Sequence, residues 1–232
     1  MKSKKTNLGK TINSLWNFWS PVIFTFSLYF GIRNFLFEAR YIPSGSMLPG
    51  LQVKDRLIIE KITLKRRLPR RGEIVVFNSP FSFDNILNKK SVISPFQCSI
   101  VNLPIISSLV GVSDPTCDAY IKRVVAIAGD EVLINNKGQV IINGGVQSEA
   151  YGVNYCFSST KETALCPAWI GNVPDGHVFV LGDNRKNSWD GRYWPGGGFL
   201  PVKEILGRAV WRFWPINRIG TLSLKTATNY FA

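Results

Sequence analysis

Two serines, Ser44 and Ser46, stand two residues apart in IPSGSMLPGL, Ile42 to Leu51, between two prolines and around a glycine. Proline fixes its own φ and biases the preceding residue toward extended backbone, so this stretch is a stiff corner. A second stretch, YIKRVVAIAGD (Tyr120 to Asp130), places Lys122 inside an apolar, strand-like run. A lysine there ordinarily points to solvent. If it points inward, desolvation disfavours the ammonium and lowers its pKa, and a neutral amine can then take the proton of a serine hydroxyl. A third stretch, LGDNRKNSWDGR (Leu181 to Arg192), follows the strand-like HVFVL and offers Asp183, Asn184, Arg185, Asn187, Ser188, Asp190 and Arg192. Taken alone it reads as a solvated loop or as a buried hydrogen-bond network. The single histidine, His177, follows Pro-Asp-Gly and precedes an apolar strand, which suits a strand-end role. A Ser–Lys pair is therefore the most economical way to build a serine nucleophile here.

These residues need a scaffold, and the composition supplies one. The chain has 232 residues, 45% of them apolar, enough for a packed domain. Runs such as DRLIIEKI, GEIVVF, IKRVVAIAG, EVLINN, QVIING and HVFVLG are rich in Val and Ile and end at turn residues, predicting a mainly β fold. NNKG between two of them predicts a hairpin over Glu131 to Asn143. Residues 78–118 are long and irregular and read as an insertion. Within it, IVNLPIISSLVGV is too short to span a bilayer. The four cysteines, Cys98, Cys117, Cys156 and Cys166, form no CxxC pair, which argues against zinc; two disulfides or free thiols both remain open. No metal or other cofactor is expected.

The N-terminus points to a membrane. Thr11 to Ile32 carries no charge, and as a helix those residues would extend ~33 Å against a hydrocarbon core of ~30 Å. Lys2, Lys4, Lys5 and Lys10 precede the run, which predicts a cytoplasmic N-terminus. The expected organisation is a cytoplasmic segment 1–10, a transmembrane anchor 11–35 and an extracytoplasmic catalytic domain 36–232. A cleaved signal peptide fits less well, because bulky residues rather than a small-x-small site follow the apolar run. The net charge of +13 suggests an anionic partner. Six of the basic residues lie in KITLKRRLPRR, Lys61 to Arg71, which reads either as a patch for an anionic membrane surface or as a solvated loop. No basic stripe interleaved with aromatics appears, so nucleic acid is not an expected partner.

Taken together, PSGSM with a following proline, YIKRVVAIAGDEV and LGDNRKNSWDGR resemble the signature boxes of bacterial type I signal peptidase (leader peptidase). RRGEIVVF, Arg70 to Phe77, is similar to a fourth box of that family, and the order of the boxes and the N-terminal apolar run also match. The resemblance covers about residues 38–78 and 119–215. It implies folded-over antiparallel β-sheets or small barrels behind a single N-terminal transmembrane helix. It implies Ser46 as nucleophile, Lys122 as general base, Ser44 with the Ser46 N–H as oxyanion donors, and Ser188 as the group orienting the lysine. Asp190 and Arg192 would form a supporting ion pair, with Asp183 in the same network. Ile42, Tyr120 and Ile121 would line shallow pockets for small substrate side chains. The implied activity is cleavage of preproteins after small-x-small (Ala-x-Ala) sites at the outer face of the bacterial cytoplasmic membrane, and nothing in the sequence demands more than a monomer. Two positions depart from the family pattern: Gly191, where serine is usual, and Gly50, where threonine is commoner. Repressor-like Ser–Lys autoproteases share the dyad but lack an N-terminal anchor. An anchored β-rich binding module would leave the coincidence of Ser46, Lys122 and Ser188 unexplained.

Overall fold

A computed structural model describes residues 5–87, 119–135, 138–147 and 168–222, with the side chains of 5–14 and 34 left aside. The four cysteines, the apolar run 100–112 and most of the insertion lie outside the described residues. The chain divides into two units, 1–38 and 39–232.

In the first unit a single helix, α1 (Lys5–Gly31), contains Pro21 and passes into one π-helical turn, Ile32–Leu36. It begins earlier than the predicted anchor. No described helix is long and apolar enough to cross a membrane. The physical reason lies in its composition. Asn13, Ser14, Asn17, Ser20, Thr25 and Ser27 interrupt the uncharged run, and its bulk comes from Trp, Tyr and Phe as much as from aliphatic residues.

The second unit is mainly β, as expected. Its strands are β1 (Phe37–Tyr41), β2 (Arg56–Glu60), β3 (Ile74–Asn78), β4 (Ala119–Ile127), β5 (Glu131–Ile134), β6 (Val140–Ile142) and β7 (Gly145–Val146). They continue with β8 (Trp169–Asn172), β9 (His177–Leu181), β10 (Phe199–Pro201), β11 (Ile205–Trp214) and β12 (Gly220–Thr221). One sheet runs β1-β2-β11-β3-β4-β9-β10, with β12 added to β11; a smaller sheet runs β7-β6-β5-β8. The predicted hairpin is present as β5 paired antiparallel with β6. Ile205–Trp214, which carried no strand expectation, forms the long strand β11; it pairs with β2, β3 and β12.

The larger sheet is covered on both faces, which explains why GEIVVF and HVFVLG lack polar alternation. In β3, Ile74 and Val76 face one core with Ile42, Met47, Leu51, Leu57 and Ile59. Val75 and Phe77 face another with Val124, Val180 and Trp194. In β9, Val178 and Val180 share that second core, while Phe179 and Leu181 face a third. This third core joins the two sheets: Val125 and Phe179 meet Val132, Ile134, Val140 and Ile142.

The basic segment Lys61–Arg71 holds a short helix, α2 (Thr63–Arg66), and three buried carboxylates hold the segment. Glu60 Oε1 accepts the Ile62 and Thr63 N–H groups, and Glu60 also pairs with Arg208 of β11. Burial alone would raise the Glu60 pKa, but the bonds from Thr63 and Arg208 outweigh it and hold it at about 2. Glu73 takes Arg67, and Asp130 takes Arg71.

Phe179 is fully buried and stacks on Trp169 at 4.3 Å between ring centroids. Deleting such a side chain costs the transfer term plus the cavity, so Phe179→Ala is expected to lose about 3–5 kcal/mol in a urea unfolding titration.

Candidate active site

The corner Ile42–Leu51 is held from inside and at its ends. Ile42, Met47 and Leu51 are buried in the core under β2 and β3. The Ile42 N–H donates to Asp55 O at 2.9 Å and the Lys54 N–H donates to Ile42 O at 2.9 Å, closing the base of the loop. Leu51 N–H bonds Met47 O at 2.8 Å. Ser46 sits between these apolar anchors, itself only 8% exposed.

The polar loop after β9 grips the corner. Asn184 donates its backbone N–H to Ser46 O at 3.0 Å and its side-chain Nδ2 to Gly45 O at 3.1 Å. Gly182 makes this approach possible: a Cβ there would lie 2.2 Å from Ser188 Oγ and 2.6 Å from Ser46 O. No side chain larger than hydrogen fits between the two segments.

Lys122 comes from β4, opposite Val75 of β3, and its side chain is buried. Its Nζ lies 3.0 Å from Ser46 Oγ, across 76 residues of sequence, and 3.0 Å from Ile121 O. Burial lowers its pKa from 10.5 to about 8; Asp190 and Asp183 oppose that shift and Arg192 adds to it. Ser44, more exposed, places its Oγ 3.4 Å from Ser46 Oγ.

Two buried ion pairs frame the amine. Arg123 grips Asp183 through both carboxylate oxygens, at 2.8 and 2.7 Å, and donates to Gly72 O. Arg192 grips Asp190 at 2.8 and 3.0 Å, and Asp190 accepts the Gly182 N–H at 3.0 Å. Asp183 thus pairs with Arg123 rather than with Arg192. The two pairs connect through Gly182 and Arg185: Arg185 Nε donates to Gly182 O, and Arg192 Nη2 donates to Arg185 O. Ser188 is buried beside Gly182, but its Oγ has no hydrogen-bond partner among the described residues. The orienting bond to Lys122 that the resemblance implies is therefore not made in this arrangement.

Ile42 is 2% exposed and packs in the core with Met47 and Leu51. Tyr120 and Ile121 are half-buried and face opposite sides of β4: Ile121 packs toward the Ile42–Met47 core, Tyr120 toward Phe77 and Trp194. His177 stands at the start of β9, its Nδ1 2.9 Å from Asp175 O. The described residues hold no group of three or more His, Cys, Asp or Glu placed to bind a metal. Sequence reasoning passed over Arg123, Gly182 and the clamp made by Asn184. A signal for Arg123 was present: an arginine inside an apolar strand needs an acid, and Asp183 stands at the end of the strand paired with it. Both departures from the family pattern are close contacts. A Cβ on Gly50 would stand 2.4 Å from Asp183 Oδ2, and one on Gly191 would stand 2.6 Å from Gly198 O.

The fold is a two-sheet β domain that sets a buried lysine amine 3.0 Å from a serine hydroxyl. The chain matches the family described as signal peptidase, peptidase S26, over residues 15–214. It is 42% identical over 199 residues to a probable signal peptidase I-2 of Synechocystis sp., covering 84% of this chain and 72% of that protein. It is 40% identical over 195 residues to a signal peptidase I of Leptolyngbya laminosa, covering 84% and 77%. A probable thylakoidal processing peptidase 2, chloroplastic, of Arabidopsis thaliana is 36% identical over 198 residues, covering 85% of this chain and 43% of that protein. The chain belongs to the signal peptidase family, peptidase S26, and is a peptidase.

The buried amine carries a stability cost with a defined pH dependence. The unfolded lysine keeps its proton up to about pH 10.5, whereas the folded one releases it near 8. Between these values the unfolded state binds more protons, so stability rises with pH; below 8 the full cost, about 3 kcal/mol, is present. Lys122→Met is expected to be more stable than the wild type at pH 7 by about 1–3 kcal/mol, and the gap should close as pH rises from 8 toward 10.5. Denaturant titrations at several pH values measure this; a variant less stable at pH 7 would contradict it.

Proposed function

We propose that this chain is a membrane-attached serine endopeptidase that removes N-terminal signal peptides from exported preproteins, cleaving after small-x-small sites such as Ala-x-Ala with a Ser46–Lys122 dyad. The observation that carries this reading is the 3.0 Å contact between a buried lysine amine and the hydroxyl of a serine 76 residues away. A binding module has no reason to bury a lysine there, because burial penalises its charge.

In this reading the neutral Lys122 amine takes the proton of Ser46 as Oγ attacks the scissile carbonyl carbon. The carbonyl π electrons move onto oxygen, and the oxyanion faces the Ser46 N–H and the Ser44 hydroxyl. A donor of this kind contributes about 3–4 kcal/mol. Collapse of the tetrahedral species breaks the C–N bond, and the Lys122 ammonium protonates the departing amine. The amine, neutral again, then activates a water that attacks the Ser46 ester and releases the acyl product. Asp183, Asp190 and Arg192 support the loop that touches Ser46, and Ser188 fills the space beside the amine. Tyr120 and Ile121 border the substrate, with Ile42 behind Ile121.

Membrane attachment rests on α1. Leu15, Trp16, Phe18, Trp19, Phe24 and Phe26 are all more than half exposed, and so many exposed large apolar side chains call for an apolar surrounding. The lysines before the uncharged run favour a cytoplasmic N-terminus and a single-pass attachment to the bacterial cytoplasmic membrane, with the catalytic domain outside. In the basic segment Lys65, Arg66 and Arg70 are exposed, which suits contact with an anionic lipid surface. The working form is a monomer, and its partners are preproteins and lipid.

The test is cleavage of a purified preprotein carrying an Ala-x-Ala site, in detergent, by the wild type and by Ser46→Ala. The wild type is expected to cut after the second alanine, and the variant to lose a factor of about a thousand or more. Equal cleavage by both would place the nucleophile elsewhere.

A further inference from the structure

The root of the insertion folds back onto the site. A single helical turn, α3 (Pro80–Phe83), follows β3 and ends at the buried Asp84. Asp84 accepts the N–H groups of Gly196, Ile86 and Leu87 at 2.8, 2.9 and 3.2 Å. A Cβ on Gly196 would stand 2.6 Å from that carboxylate. The clasp ties the root of the insertion to the loop that follows Asp190. Beside it Phe81 stacks on Trp189, with ring centroids 5.6 Å apart and planes 27° apart. Trp189 lies 6.0 Å from the Tyr120 ring, and Tyr120 lies 5.9 Å from Lys122 Nζ. An aromatic wall of half-buried rings therefore runs from the reacting amine out to the insertion.

The strand ladder places this wall relative to a substrate. β4 pairs with β3 from Arg123 back to Ala119, but its pairing with β9 begins only at Arg123. The stretch 119–122 thus runs past the end of β9, on the side where Lys122 Nζ meets Ile121 O and Ser46. A peptide laid there as an added strand directs alternate side chains to opposite faces. One face holds Ile121 above Ile42 and Met47, a surface without aromatic rings. The other holds Tyr120, Trp189 and Phe81. Two small residues on the first face leave the residue between them on the second.

We infer that the Tyr120–Trp189–Phe81 wall binds the side chain of the substrate's second residue before the scissile bond, so that this peptidase selects an aromatic or large aliphatic residue at the x of small-x-small. The inference rests on the proposed Ser46-dependent cleavage. Packing one further ring against aromatic neighbours corresponds to a preference of about five- to tenfold.

The experiment compares kcat/KM for two otherwise identical peptides, with Ala-Phe-Ala or Ala-Ser-Ala before the scissile bond. The enzymes are the wild type, Trp189→Ala and Phe81→Ala. The wild type should favour the phenylalanine peptide by that factor, and each variant should bring the ratio toward one. Phe81, at the outer end of the wall, carries the test if Trp189→Ala does not fold. Equal rates on both peptides by the wild type, or an unchanged ratio in a folded variant, would overturn the inference while leaving the peptidase reading intact. Failure of the wild type to cut either peptide would defeat the peptidase reading and the inference with it.

Discussion

The burial of the Lys122 amine is the constraint around which the rest of the domain is arranged. A charged amine in that position is penalised by desolvation, and burial is the largest influence on its pKa. Two carboxylates pull the other way, yet neither bonds the amine. Asp183 is held by Arg123 and Asp190 by Arg192, each through both oxygens. The arginines thus act twice: they satisfy buried acids that would otherwise be unpaired, and they leave Lys122 with Ser46 and the Ile121 carbonyl as its partners. An acid placed directly against the amine would keep it protonated and useless as a base.

The same economy governs the backbone. The nucleophile corner touches the loop after β9 with no space to spare, and glycine is what permits it at Gly182. Gly50 does the same against the Arg123–Asp183 pair, and Gly191 against the Gly198 carbonyl. The departures from the family pattern at these last two positions are therefore accommodations to this chain's own packing. A serine at 191 or a threonine at 50 would need the neighbouring loop to move. Asn184 closes the contact by bonding two consecutive carbonyls of the corner, which fixes Ser46 relative to β4 through the β9 end of the sheet.

Much of this was legible in the sequence. Every strand named from an apolar run is present, because continuous Val–Ile runs between turn residues identify strands buried on both faces. The corner was legible from its prolines and small residues. β11 was not, since Arg208, Trp211, Arg212 and Trp214 break the alternation; its arginines reach back to Glu60 and Asp55, pairings visible only in three dimensions. Ion-pair partners were partly legible: Asp190 and Arg192 are two residues apart, whereas Asp183 and Arg123 are joined only by the β4–β9 register. The N-terminal helix was legible from its uncharged, aromatic-rich run, but its asparagines, serines and threonines, which an absence of charge does not register, lower its apolarity.

The central claim is that burial beside Ser46 lowers the Lys122 pKa far enough to keep a working fraction of the amine neutral near physiological pH, about one in ten at pH 7. The most direct measurement is the titration of its amine by nuclear magnetic resonance on lysine-labelled protein, the signal assigned by its loss in Lys122→Met. The account predicts a midpoint near 8, two to three units below an ordinary lysine. A midpoint near 10.5 in folded protein would leave almost no neutral amine at working pH, and the dyad as described here would be wrong.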